Sequence, residues 1–114
     1  MWGVSLRGTI KLNREFKFAY RRGEKYVSRS VVMHHFKNKT DENKIGITVS
    51  TALGCAVVRN RVKRYIREAF KDYKATIDKG YNIVFVARTR CAYADYKQIK
   101  DSVDECMKNS GLIL

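Results

Sequence analysis

The chain contains no proline, so no proline-rich linker divides it. Its apolar runs are far shorter than the ~20 residues that a membrane span requires. Met1 to Leu6 has no long apolar stretch like that of a secretory signal. No membrane is expected as a partner, and the cytoplasm is the expected compartment. Cysteine is scarce. Cys55, Cys91 and Cys106 are odd in number and scattered, with no C-x-x-C pair and no Cys/His cluster at zinc spacing. They read as reduced thiols packed as small buried hydrophobes. Acidic residues are the largest deficit, with 11 Asp and Glu against 24 Lys and Arg. Those acids gather at Asp41-Glu42 and in the last third of the chain, and local sequence fixes no two of them together. There is no Gly-rich phosphate loop, no G-x-S-x-G and no His/Glu metal helix. Neither a catalytic group nor a metal site is expected from this chain.

What remains is enough for a core. Hydrophobic residues are 45% of 114, which predicts one folded domain over 1–114 rather than a disordered tail. A net charge of +13 at this size opposes compaction by self-repulsion. An anionic polymer, nucleic acid first, is the partner that explains it.

The densest positive charge lies in the strongest helix, Val57 to Phe70. At ~100° per residue, Val58, Val62, Tyr65, Ile66, Ala69 and Phe70 fall on one side. Arg59, Asn60, Lys63, Arg64, Arg67 and Lys71 fall on the other, with Arg61 near the border. The apolar side must pack, because a short helix draws most of its stability from burial. The basic side gains nothing from a core, and only Glu68 relieves it. Its arginines can fork two hydrogen bonds to one phosphate, and Asn60 can bond a base edge or a 2′-hydroxyl. RNA fits better than DNA, since unpaired bases and 2′-hydroxyls are its usual protein targets and no helix-turn-helix pair is present.

Ahead of that helix, Arg14 to Arg22 reads as helical, capped by Asn13 and closed by Gly23 in a left-handed conformation. Phe16, Ala19 and Tyr20 share one face, as a core stripe or as stacking platforms for unpaired bases. Tyr26 to Phe36 reads as strand with a break near Ser28 to Ser30. His34 and His35 then point to opposite faces, one packed and one exposed, and cannot act as a pair. Lys37 to Asn43 reads as a hairpin loop. Lys44 to Ser50 alternates, with Ile45, Ile47 and Val49 inward and Lys44, Gly46, Thr48 and Ser50 on a polar or ligand-facing side. Gly54 relaxes the bend into the basic helix.

Beyond it, Asp72 to Asp78 reads as helical continuation and loop. Tyr81 to Ala87 is a nearly continuous apolar run, which predicts a central strand covered on both faces. Arg88 to Ala94 reads as loop. Asp95 with Gln98 spells a capping box for a last helix whose buried side carries Tyr96, Ile99, Val103 and Cys106, and Gly111 ends it. The order α-β-β-β-α-β-α predicts an α+β fold with a mixed sheet. Lys79 to Val86 partly matches the RNA-binding octamer of the RRM fold, but the element order excludes an RRM.

Lys44-Ile-Gly-Ile-Thr-Val-Ser50 followed by Gly54 to Phe70, with Arg59-Asn60-Arg61 at its centre, closely resembles the signature of the bacterial ribonuclease P protein subunit. The likeness extends from Leu12-Asn13, Phe16 and Tyr20-Arg-Arg-Gly23 to the last helix. It implies a two-layer α/β sandwich on a mixed four-stranded sheet, like a ribosomal-protein domain, with a left-handed β-α-β crossover against the usual rule. It implies a ribonucleoprotein that removes the 5′ leader of precursor tRNA, with catalysis and Mg2+ held mainly by the RNA. Ribonuclease P RNA would meet Arg59, Asn60, Arg61, Lys63, Arg64 and Arg67. The leader of precursor tRNA would lie between the first helix and the sheet, on Phe16, Tyr20, His34 and Ser50. No obligate protein partner is implied. Thr51, Ala52 and Cys55 depart from the family pattern, which often has basic residues after the third strand and Asn at the Cys55 position. No phosphate contact is therefore expected over residues 51–55. Tyr20 stands where Phe is frequent. A general or ribosome-associated RNA-binding module would share the charge but stimulate no cleavage, and a nuclease acting alone would need a carboxylate-metal cluster that the sequence does not offer.

Overall fold

A computed structural model of the protein describes residues 13–38, 40–73 and 76–113. Its elements are α1 (Asn13–Arg22), β1 (Glu24–Val27), β2 (Val31–Lys37), β3 (Lys44–Thr48), α2 (Ala56–Lys71), β4 (Tyr81–Ala87) and α3 (Tyr96–Ser110). Short 3-10 turns at Thr51–Leu53 and Thr89–Tyr93 precede α2 and α3. The capping role expected of Asn13 lies outside the described side chains.

The four strands form one mixed sheet in the order β1-β2-β4-β3. β1 with β2 and β2 with β4 are antiparallel, and β3 runs parallel to β4. β4 is therefore central, as its apolar run predicts, and Ile83, Val84 and Phe85 are fully buried. The segment after β2 is not a hairpin loop. β4 pairs with both β2 and β3 and separates them, so β3 runs back antiparallel to β2 without pairing with it.

One sheet face carries Val31, Met33, Ile45, Ile83, Phe85 and Ala87 into the main core. Val62, Ile66, Ala69 and Phe70 of α2 pack there with Ile99, Val103, Cys106 and Met107 of α3. Phe70 meets Phe85 edge-on at 5.6 Å between ring centres. Each such side chain contributes ~1.5–3 kcal/mol when fully buried, so this layer holds most of the stabilising area. The opposite face is covered by α1, where Ala19 and Val84 are buried with Phe16, Phe36 and Val86 against them. His34 and His35 do point to opposite faces, yet both are buried. The expected exposed partner is missing because α1 covers the face that the alternation left open.

The ends of α3 follow from local sequence. The Gln98 N–H donates to the Asp95 carboxylate at 2.8 Å, and the Asp95 N–H donates to the Gln98 side chain at 3.0 Å. Gly111 takes the left-handed conformation, φ 74°, that favours glycine. Gly23 does not adopt it. A Cβ there would stand 2.5 Å from the Ala19 carbonyl oxygen and 3.0 Å from that of His35. Close approach of α1 to β2, rather than handedness, requires a glycine at this corner. The span from Arg88 to Ala94 is likewise more ordered than a loop, since Thr89–Tyr93 winds as a 3-10 turn. Asp72 lies just past the end of α2, where the chain turns instead of continuing as helix.

Candidate nucleic-acid interface

The period of 3.6 divides α2 as the sequence predicts. Val62, Ile66, Ala69 and Phe70 are buried, while Asn60, Lys63, Arg64 and Lys71 are exposed. Arg64 lies over the Tyr65 ring at 5.5 Å, a cation–π contact that leaves its outer edge free to donate. Arg59 is half-buried, and its Nε donates to the Gly54 carbonyl at 3.2 Å, which turns the guanidinium towards the N-terminal end of the helix. Arg67 is also half-buried.

Arg61, which the helical period places near the border, turns inward. It is half-buried, its terminal nitrogen donates to the Ala92 carbonyl at 2.8 Å, and its buried Nε has no protein partner among the described residues. The basic face therefore includes one guanidinium that also ties α2 to the 3-10 turn before α3. Cys55 departs from expectation as well, being exposed where a buried thiol was predicted. Cys91 and Cys106 are buried, and desolvation pushes the Cys91 thiol up to about 11.

The second surface lies where α1 crosses β2, β4 and β3. The Tyr20 and Thr48 hydroxyls are hydrogen-bonded at 2.8 Å, which joins α1 to the β3 edge. Tyr20 stands edge-on to His34 at 5.1 Å and is itself 42% exposed. Phe16 lies 6.4 Å from Tyr20, partly buried against Ala19 and Val84. Phe18, also exposed, packs on Phe36 at 4.7 Å. The result is a shallow aromatic strip with a hydroxyl pair at one end. His34 forms its floor, with Nδ1 buried and unpartnered among the described residues. Burial first, then the charge of Lys25 on the neighbouring strand, lowers the His34 pKa, so the ring is neutral near pH 7.

Phe16, Tyr20 and His34 are thus brought together. Ser50 is not shown touching them. It is exposed, and its hydroxyl accepts from the Ala52 N–H at 3.1 Å, capping the 3-10 turn. Thr48 is the contact that sequence reasoning passed over, although the alternation of β3 had placed it on the ligand-facing side. Among the described residues, no three His, Cys, Asp or Glu side chains are grouped to hold a metal ion, and no helix is long and apolar enough to cross a membrane.

Comparison with known proteins agrees on one family. The family model described as Ribonuclease P matches residues 7–111. The ribonuclease P protein component of Clostridium botulinum strain Langeland is 38% identical over 104 residues, covering 90% of this chain and 94% of that protein. The corresponding component of Caldanaerobacter subterraneus is 38% identical over 103 residues, covering 90% and 89%. Among solved structures, the Staphylococcus aureus RNase P protein superposes with a TM-score of 0.85 at 34% identity, covering 93% of this chain and 97% of that one. The Thermotoga maritima RNase P protein gives 0.79 at 28% identity, covering 90% and 97%.

Proposed function

This chain belongs to the ribonuclease P protein family, and from that premise we propose that it binds the family's catalytic RNA through the basic face of α2 and holds the 5′ leader of precursor tRNA along the strip between α1 and the sheet. As a ribonuclease P protein component, the chain is part of a ribonuclease holoenzyme. The observation that carries the finer reading is the division of α2. Its apolar side is locked in the core while Asn60, Lys63 and Arg64 face solvent, with Arg59 and Arg67 at the margin. A side with so much like charge costs stability, and phosphate contacts offset that cost. Each phosphate neutralised releases counterions, and log affinity falls with log salt by ~0.7–0.9 per contact. The five cations Arg59, Arg61, Lys63, Arg64 and Arg67 therefore predict affinity that drops roughly a hundredfold to several hundredfold between about 50 and 200 mM salt.

On the α1 side, Phe16 and Tyr20 offer ring faces to unpaired bases, and such stacking tolerates any base. The Tyr20–Thr48 hydroxyl pair and neutral His34 add hydrogen-bonding groups at the floor. Positive charge between two RNAs lowers their mutual repulsion, so the protein should reduce the Mg2+ demand of the reaction and favour precursor over mature tRNA. In this proposal Mg2+ is held mainly by the RNA and supplies metal-assisted phosphodiester hydrolysis. The described residues form no carboxylate cluster that would hold it.

The experiment is cleavage of a precursor tRNA by a bacterial ribonuclease P RNA at low Mg2+, with and without the protein. Stimulated cleavage at the correct 5′ site, with no cleavage by protein alone, is expected. RNA binding without stimulation would reduce the chain to a general RNA-binding module, and cleavage by the protein alone would overturn the assignment of catalysis to the RNA.

A further inference from the structure

A further groove lies between the β1–β2 turn, the Thr89–Tyr93 turn that Arg61 ties to α2, and the flank of α3. It encloses about 490 Å3, within the range of small-ligand sites. Arg29 and Arg90 line it together with Tyr93, Gln98, Asp101 and Glu105. This flank of α3 is the one turned from α2. Lys100 and Asp104 point the other way, Lys100 reaching Asp72 at 3.2 Å and the Ala69 carbonyl at 3.5 Å.

The walls are held in place before any ligand arrives. The Ser30 N–H donates to the Ser102 hydroxyl at 3.0 Å. The Arg88 N–H donates to the Ser30 carbonyl at 2.9 Å, and its guanidinium donates to the Ser28 carbonyl at 2.8 Å. The β1–β2 turn, the 3-10 turn and α3 thus form one frame. Tyr93 is 92% exposed on it, so folding buries little of this large ring. Two arginines, an open ring and two carboxylates make an uncommon combination. Phosphate alone would be repelled by Asp101 and Glu105. A nucleotide satisfies all three kinds of group: its phosphate takes the arginines, its base takes the ring, and its base N–H groups donate to a carboxylate. Guanine suits this best, because its N1–H and amino N–H lie side by side for the two oxygens of one carboxylate. Asp101 is paired with Lys97 at 3.3 Å, but that pair is exposed and weak enough to rearrange.

We propose that the groove between the Thr89–Tyr93 turn and α3 binds a single unpaired nucleotide of RNA, preferring guanine, with Tyr93 as the stacking platform, Arg29 and Arg90 on phosphate, and Asp101 or Glu105 on the base edge. The proposal rests on RNA as the partner but not on the leader strip, which lies on the opposite sheet face. The full-length, isotope-labelled protein is titrated with hexauridine, with hexauridine carrying one central guanosine, and with inosine at that position, while backbone amide shifts are followed. The guanosine probe should bind roughly 5- to 150-fold tighter than plain hexauridine, the range of one bidentate base contact. It should shift amides of Arg90 to Tyr93 and Gln98 to Glu105, and inosine, lacking the amino group, should lose most of the gain. Tyr93→Ala, which removes an exposed ring and leaves the core intact, should weaken the guanosine probe roughly 5- to 150-fold, one stacked base. Asp101→Asn with Glu105→Gln should erase the guanosine preference while thermal stability holds. Shifts confined to α1 and β2 would overturn the groove and leave the leader strip standing. Equal affinity for all three probes, or a concentration-dependent dimer that Tyr93→Ala dissolves, would also overturn it.

Discussion

Arg61→Ala removes a guanidinium that ties α2 to the 3-10 turn and that the proposed function also places on RNA, and Arg59→Ala provides the control. In the folded protein Arg61 bonds the Ala92 carbonyl at 2.8 Å, across 31 residues of chain. A hydrogen bond from a charged donor contributes ~1.5–3 kcal/mol net. Against this, the buried Nε has no protein partner, which costs about 1 kcal/mol. The balance leaves a loss of about 0.5–2 kcal/mol for Arg61→Ala. At ~4–8 °C per kcal/mol for a domain near this size, Tm should fall by roughly 2–16 °C. Arg59 bonds the neighbouring Gly54 carbonyl at its own helix terminus, so Arg59→Ala should stay within about 0.5 kcal/mol of the parent protein. Urea and thermal unfolding of both variants test the difference. Filter binding to ribonuclease P RNA across a salt series then reads the second role, and each variant should lower the salt slope by ~0.7–0.9 if it gives up one phosphate contact. Arg61→Ala melting with the parent protein would refute the tie between α2 and the 3-10 turn. An unchanged salt slope for Arg59→Ala would refute its phosphate contact.

Three further outcomes are expected. His35 is buried between Tyr26 and Tyr81 with both ring nitrogens unpartnered among the described residues, and desolvation lowers its pKa from 6.5, with Glu24 opposing. A depressed histidine contributes stability that is fully present above pH 6.5 and lost as pH falls towards the folded value. Stability should therefore drop below pH 6.5, and His35→Phe should flatten that drop in thermal melts from pH 4 to 8; identical pH profiles would refute it. Gly23→Ala should destabilise by ~1–3 kcal/mol in urea unfolding, because the new methyl meets two backbone carbonyls that no side-chain rotation can clear. Phe16→Ala should lower affinity for leader-bearing precursor and leave mature tRNA unaffected, since Phe16 is only partly buried. A stability loss of ~3–5 kcal/mol with no change in precursor preference would make Phe16 a core residue instead.

Local sequence determined what depends on near neighbours. The basic and apolar sides of α2 follow from a 3.6-residue period: Val62, Ile66, Ala69 and Phe70 are buried while Asn60, Lys63 and Arg64 are exposed. The capping box of α3 needs only Asp95 and Gln98, three residues apart, and both of its hydrogen bonds form. The central β4, with Asn82 to Phe85 and Ala87 buried, was legible because a strand covered on both faces shows little polar alternation. Phe16 and Tyr20 shared a face by helical spacing alone.

What depended on distant partners was decided only by the tertiary structure. Nothing local says that β4 inserts between β2 and β3, because strand pairing is set by the competition of all edges for the whole sheet. The burial of both His34 and His35 follows from the coverage of both sheet faces, since alternation assigns opposite faces but does not say that each is covered. Gly23 is required by two close carbonyls, that of Ala19 in its own helix and that of His35 across the corner, rather than by the left-handed helix end that its position suggested, and only the fold supplies the second. Arg61 stood at the border of a helical wheel, and its Ala92 partner, reached only through the fold, decided which way it faced. Period and capping are short-range geometry carried by a few consecutive residues, whereas edge choice, coverage and cross-chain hydrogen bonds are fixed only when the folded chain brings separated segments together.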